Sequence, residues 1–185
     1  MQVDDRRASK LLSRVLRHEP SRVGIALDRA GWVEVEVLLA ALADHGRPIP
    51  REQLDRVVRT SDKQRFALDR STSRIRANQG HSVDVDLGLS PSTPPDRLFH
   101  GTPLRNLDAI VSEGLLPRHR HAVHLSPDVA TARQVGARRG SCVVLVVDAR
   151  AMLGAGHSFT KSANGVWLVP FVPPGYLEPL TSGSA

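Results

Sequence analysis

One cysteine in 185 residues leaves Cys142 with no partner in its own chain. A disulfide framework and a cysteine-rich zinc site are thereby excluded, and a cytoplasmic location is expected. Aromatic residues make up only 4% of the chain, so a core must come from Val, Leu, Ile and Ala within a hydrophobic content of 41%. No apolar run approaches the roughly 20 residues of a membrane-spanning helix. The start Met1-Gln2-Val3-Asp4-Asp5 lacks the basic-then-apolar order of a signal peptide, so no membrane partner is expected. Several familiar site patterns are missing as well. There is no P-loop and no Gly-x-Ser-x-Gly elbow, and Gly154-Ala155-Gly156 has neither the third glycine nor the βαβ context of a dinucleotide fingerprint. His119, His121 and His124 lie close in sequence, but their spacing suits zinc only loosely and no carboxylate or cysteine follows at a ligand interval, so no metal is expected. Neither repeats nor heptads occur, which favours a monomer.

What is present is positive charge. Lys+Arg 25 against Asp+Glu 19 gives a net charge of +6, and arginine heavily outnumbers lysine. Guanidinium forks bind phosphate oxygens two at a time, so this balance suits an anionic partner such as a nucleic acid or a phosphorylated ligand.

The hydrophobic pattern divides the chain. Ala8, Leu11, Leu12 and Val15 recur at helical spacing across residues 5–17, and Pro20 stops that helix, which sets Arg17 and His18 at its negative end, a position that favours cations. Residues 35–45 form a second helix with Val37, Leu38, Ala41 and Leu42 inward. Residues 51–60 form a third, with Leu54, Val57 and Val58 inward. Residues 64–68 and 73–77 alternate as two strands around Asp69-Arg70-Ser71-Thr72. Three short helices and a hairpin make a winged-helix pattern over 1–82. Residues 83–96, rich in proline and serine, read as a linker. The second lobe, 97–185, opens on a strand through Arg97–Thr102. Pro103 suits the first turn of a helix that reaches Glu113 with Leu104, Leu107, Ile110 and Val111 inward. Val123–Leu125 is a strand, Ser126-Pro127 starts a helix over 128–139, and 141–148 is the central strand. Phe159 and 166–169 are further strands about an Asn164-Gly165 turn. The fold class is α+β.

The stretch Arg74-Ile75-Arg76-Ala77-Asn78-Gln79-Gly80-His81-Ser82 is the most telling. It holds two guanidiniums, two amides, an imidazole and a hydroxyl, and no carboxylate. Such a set suits an anion with several oxygens, above all a phosphate. Gly80 would let backbone approach a ligand with no Cβ in the way. Elsewhere, His100-Gly101-Thr102 and His124-Leu125-Ser126 lie where strands end, a place where backbone N–H groups accept ligands.

Taken in order, Leu16-Arg17-His18, Ile75 to Ser82, Phe99-His100-Gly101-Thr102, Val123 to Ser126, Val135-Gly136-Ala137-Arg138-Arg139-Gly140 and Ser162 to Trp167 resemble the RNA 2′-phosphotransferases of the KptA type. The resemblance spans nearly the whole chain, and its Arg76 to Ser82 segment is highly specific. It implies a winged-helix lobe that takes RNA phosphate, followed by an ADP-ribosyltransferase-like lobe of mixed or antiparallel strands that takes NAD+. The implied reaction removes an internal 2′-phosphate from RNA, such as that left at a ligated tRNA splice junction. It runs through a 2′-phospho-ADP-ribosyl RNA and yields 2′-hydroxyl RNA, nicotinamide and ADP-ribose 1″,2″-cyclic phosphate. By the same resemblance Arg17, His18, Arg76 and Arg138 are catalytic. His100, Gly101, Thr102 and Ser126 contact NAD+, and Asn78, Gln79 and His81 support the phosphate. Arg139 beside Arg138 leaves an ambiguity of one position, resolved here in favour of Arg138. Two departures from the family pattern stand out: Phe99 replaces a common tyrosine, and the linker is long. A related transferase acting on terminal phosphates of nucleic acid is the alternative. A winged-helix binding module with a degenerate second lobe is disfavoured by the intact second-lobe segments.

Overall fold

The computed structural model describes residues 3–61, 63–137 and 140–180. Within it the chain forms two compact units, Met1–Gly88 and Leu89–Ala185. Both combine short helices with small antiparallel sheets, so the α+β expectation holds.

The first unit carries α1 (Val3–Arg17), β1 (Val33–Glu34), α2 (Val35–Asp44), α3 (Arg51–Thr60), β2 (Phe66–Asp69) and β3 (Arg74–Ala77). Its sheet has the order β1-β3-β2. Leu12, Val15 and Leu16 of α1, Leu38 and Leu42 of α2, Leu54 and Val57 of α3, and Phe66, Ile75 and Ala77 of the sheet share one core. Full burial of a Leu or Val side chain is worth about 1.5–3 kcal/mol, so this aliphatic set replaces the missing aromatics. Val37 departs from the expected inward set and is 46% exposed. Val35, Leu38 and Leu42 already make the i, i+3, i+7 stripe of α2, and Val37 lies off that line. Asp5, only 1% exposed, anchors the start of α1 to α3. Arg56 donates to it from Nε (3.0 Å to Oδ2) and Nη2 (2.9 Å to Oδ1).

The second unit carries β4 (Arg97–Pro103), α4 (Leu107–Glu113), β5 (Val123–Leu125), α5 (Val129–Gly136), β6 (Cys142–Asp148), α6 (Ala149–Gly154), β7 (Thr160–Lys161), β8 (Trp167–Val169) and β9 (Leu177–Pro179). Two sheets result, β4-β6-β9 and β5-β8-β7. Leu98, Leu125, Leu145, Val147, Met152, Phe159, Trp167 and Val169 fill the core.

Some local expectations change, and two elements were not foreseen. Pro103 ends β4 rather than opening a helix, and Leu104–Asn106 is a 3-10 turn before α4. Leu104 and Val111 consequently face outward, at 55% and 57% exposure. The cap of α5 is Asp128, whose carboxylate accepts from the Thr131 N–H at 2.7 Å, rather than Ser126. The helix α6, capped by Asp148 through the Ala151 N–H at 2.8 Å, follows β6 directly. Finally, β9 extends the β6 edge from a proline-bearing segment that the pattern left unassigned. Residues 83–88 belong to the first unit and 89–96 to the second. Asp86 N–H donates to the Arg29 carbonyl at 2.7 Å, and Ser92 N–H to the Phe159 carbonyl at 2.8 Å, so this stretch is laid onto structure at both ends. Among the described residues, no helix is long and apolar enough to cross a membrane.

Helix α5 lies directly on β4, and two glycines make that approach possible. A Cβ on Gly101 would overlap the Ala132 carbonyl oxygen, and one on Gly136 would overlap the Cys142 Sγ and stand 2.7 Å from the Gly101 carbonyl carbon. Gly101→Ala is therefore expected to cost about 3 kcal/mol, measurable as a lower denaturant midpoint with an unchanged slope. In the first unit, hydrogen bonding to Arg56 holds the Asp5 carboxyl below its ordinary value despite its burial. Its contribution is present above the unfolded value of about 3.9 and fades as pH falls through the folded one. Asp5→Asn is expected to lower stability at pH 7 and to flatten its decline between about pH 5 and pH 2, as read from chemical denaturation at each pH.

Candidate functional site

Two clusters of polar side chains stand out, one in each unit. In the first unit the centre is the end of α1. The Arg17 carbonyl accepts the Ser82 N–H at 2.9 Å and the Val83 N–H at 3.4 Å. His18 Nδ1 and Ser82 Oγ are 2.9 Å apart. Arg17 Nη2 donates to the Arg65 carbonyl at 3.4 Å, and the same carbonyl accepts the Asn78 N–H at 2.9 Å. The segment after β3 thus returns to the helix end, and Arg17, His18, Asn78 and Ser82 come together. Gly80 turns the chain there with φ +88, the left-handed region that glycine enters at little cost.

Asn78 and His81 are buried, at 7% and 3% exposure. Asn78 Nδ2 donates to the Gln64 carbonyl at 2.6 Å. His81 Nε2 lies 3.5 Å from where a Cβ on Gly31 would sit. Gln79 is half-buried. Arg76 is half-buried too, with Nη1 donating to the Ala30 carbonyl at 3.1 Å and its guanidinium over the Trp32 ring at 4.7 Å. The Asp28–Trp32 turn supplies both partners.

In the second unit, an antiparallel bridge joins Phe99 to Ser126. Phe99 N–H donates to the Ser126 carbonyl at 2.9 Å, and Ser126 N–H donates back at 2.8 Å. His100 Nδ1 meets the His124 carbonyl at 3.1 Å. This brings His100 close to Ser126, while Gly101 and Thr102 lie further along β4. A cavity of about 440 Å³ opens here, lined by His100, Thr102, Asn106, Arg105, Arg118 and Arg120 among others, but by neither Gly101 nor Ser126. That volume lies in the range of small-molecule and cofactor sites. The arginines were not singled out from sequence, where the histidines of the same 118–124 stretch drew attention instead. Arg138 and Arg139 lie outside the described residues.

Burial pushes the His100 imidazole toward its neutral form, and the nearby Arg120 charge acts the same way, against the hydrogen bond to the His124 carbonyl. A neutral ring that meets a carbonyl at Nδ1 carries its proton there, leaving Nε2 an acceptor.

Cations and amides at a helix end, together with a basic cavity of nucleotide size, define a protein suited to phosphorylated ligands. Sequence comparison gives the family. The chain belongs to the RNA 2′-phosphotransferase, Tpt1 / KptA family, matching it over residues 3–171. It is 57% identical over 172 residues to the "Probable RNA 2′-phosphotransferase" of Streptomyces coelicolor, covering 93% of each chain. It is 55% identical over 185 residues to the same-named protein of Streptomyces griseus, covering 95% of this chain and 98% of that one. With the same-named protein of Nostoc punctiforme the identity is 53% over 170 residues, covering 92% and 94%.

The His100 assignment has a direct test. In a histidine NMR titration, its ring resonance is expected to move with a midpoint below the ordinary value of about 6.5. A midpoint at or above that value would contradict the half-buried, neutral ring.

Proposed function

We propose that this protein removes an internal 2′-phosphate from RNA and consumes NAD+ in doing so. The observation that carries the reading is family membership over residues 3–171. The anion-suited cluster at the end of α1 and the basic cavity beside His100 support it. On this reading the first unit is a winged-helix lobe that takes the RNA phosphate, and the second is an ADP-ribosyltransferase-like lobe that takes NAD+. Three helices with a β2–β3 hairpin support the first assignment, and small antiparallel sheets support the second.

The chemistry follows from the charge of the nucleophile. A phosphate monoester has its second pKa near 6, so at pH 7 it is mostly dianionic and needs no general base. An oxygen of the RNA 2′-phosphate attacks C1″ of the nicotinamide ribose, and nicotinamide departs with the electrons of the glycosidic bond. The ribose O2″ then attacks phosphorus, its hydroxyl proton passing to solvent, and the bond from phosphorus to the RNA 2′-oxygen breaks. The leaving oxygen needs a proton. Arg17 and Arg76 hold the phosphate and stabilise the charge that builds on five-coordinate phosphorus. His18, at the negative end of α1, supplies the proton to the leaving oxygen. Ser82 Oγ at 2.9 Å from its Nδ1 fixes which way the ring faces. Arg138 joins the catalytic set by resemblance alone. In the cavity, the His100 Nε2 acceptor suits a ribose hydroxyl, and Arg105 and Arg120 suit a pyrophosphate, while Arg118 is paired with Glu113 at 3.4 Å. Gly101, Thr102 and Ser126 complete the NAD+ contacts, while Asn78, Gln79 and His81 shape the phosphate side. A tRNA splice junction is the expected source of such RNA, with the protein acting in the cytoplasm as a monomer and without a metal.

Incubation of an RNA bearing one internal 2′-phosphate, with and without NAD+, tests the reading. Phosphate loss and nicotinamide release are expected only with NAD+. Stable ADP-ribosylated RNA would point instead to the terminal-phosphate transferase, and binding without turnover to a recognition module. His18→Ala is expected to slow the second step about 10²-fold, so that ADP-ribosylated RNA accumulates. Wild-type rates for both steps in that variant would remove His18 from the mechanism.

A further inference from the structure

Arg74 and Arg76 share one face of β3, because residues two apart on a strand point the same way. Their neighbours across the sheet give them opposite fates. Arg74 stands between Glu34 of β1 and Asp69 of β2. Its Nη2 also donates to Asp28 Oδ2 at 2.6 Å. Arg76 stands opposite Ala67. The β1–β3 register pairs Val33 with Ile75 and Glu34 with Arg74. Carried one residue further, it sets Trp32 opposite Arg76, and the ring does meet the guanidinium at 4.7 Å. No carboxylate pairs with Arg76 among the described residues; its side-chain partners are the Ala30 carbonyl and the Trp32 ring.

Both partners come from one tight turn that Asp28 closes. Asp28 Oδ1 accepts the Ala30 N–H at 2.9 Å and the Trp32 N–H at 2.8 Å. Asp28 N–H donates to the Trp32 carbonyl at 2.9 Å, and Gly31 N–H to the Asp28 carbonyl at 2.9 Å. Gly31 takes φ +81, which a side chain would resist. The turn therefore fixes a carbonyl and a ring face at set places.

We propose that Trp32, held by the Asp28 turn, is the positioning residue for Arg76: the ring and the Ala30 carbonyl orient the guanidinium without neutralising it, while Asp28 pairs off Arg74. This rests on the reading that Arg76 holds the RNA 2′-phosphate. A ring quadrupole attracts a cation but carries no net charge, so it leaves the full positive charge for an anion. A carboxylate in the same place would cancel it. The turn thus sorts two chemically identical side chains, two residues apart, into one that braces the fold and one that meets the ligand.

Binding of a short RNA with one internal 2′-phosphate, compared with the same RNA bearing a 2′-hydroxyl, isolates the phosphate contribution without requiring turnover. Arg76→Ala is expected to cut the preference for the phosphorylated RNA by well over ~10-fold, the remainder being held by Arg17. Trp32→Leu should reduce it about tenfold and Trp32→Phe by less, with the KM for NAD+ unchanged in both. Arg74→Gln should keep it. In the double variant Trp32→Leu/Arg76→Ala, the tryptophan change should add nothing, because it acts through Arg76. A full preference in Trp32→Leu beside its reduction in Arg76→Ala would overturn the proposal, as would an undiminished tryptophan effect in the double variant. A full preference in Arg76→Ala would instead remove the underlying assignment, and the proposal with it. Wild-type NMR gives a readout that needs no variant to fold. The Arg76 side-chain protons should be shifted upfield by the Trp32 ring, and unshifted resonances would contradict the stacking.

Discussion

A helix leaves its last carbonyls without partners, and at the end of α1 one of them is answered from 65 residues away. The Arg17 carbonyl takes the Ser82 and Val83 N–H groups, and this return ties the segment after β3 to the helix. Neither piece would form a site alone. The helix end offers two cationic residues with no defined surroundings, and the segment offers amides and a hydroxyl with nothing to face. Joined, they fix the His18 ring through Ser82 and draw Arg17 to the backbone beside Asn78.

A comparable junction organises the second unit. There the bridge from Phe99 to Ser126 brings two strand ends together, and close packing of α5 on β4 leaves no room for a Cβ at Gly101 or Gly136. The family resemblance implied that Gly101 contacts NAD+, but a ligand is not needed to explain the glycine. Packing alone suffices to require one, since an added methyl would strike helix backbone rather than a movable side chain.

The placement of acids decides which arginines remain available. Glu19 takes Arg14 and Arg22, Asp5 takes Arg56, and Asp28 takes Arg74. Of these, the exposed Glu19 and Asp28 pairs add little stability. Their larger consequence is for the charge pattern, because a paired guanidinium no longer attracts a phosphate strongly. Asp28 is held below the ordinary carboxylate range although burial alone would raise it. The Trp32 N–H, the Arg74 guanidinium and the Ala30 N–H outweigh that burial. It therefore stays charged, and the turn it closes keeps its shape, throughout the neutral range.

By itself the sequence determined the α+β class, the helices α1 to α3, the β2–β3 hairpin, the central β6 strand and the family, because these rest on local periodicity and on contiguous motifs. Through its resemblance to the family it also marked Arg17, His18, Arg76 and the His100–Thr102 segment. It could not place Val37, Leu104 and Val111, since an apolar residue near a stripe faces inward or outward according to what the helix packs against. Nor could it show β9, whose proline argues against a strand until an edge is available to receive it. Only the tertiary structure decided that Trp32 and Asp28 stand beside β3 and that the second-unit arginines line a cavity. Those neighbours are set by strand register and turn geometry, and a linear string of residue types carries neither.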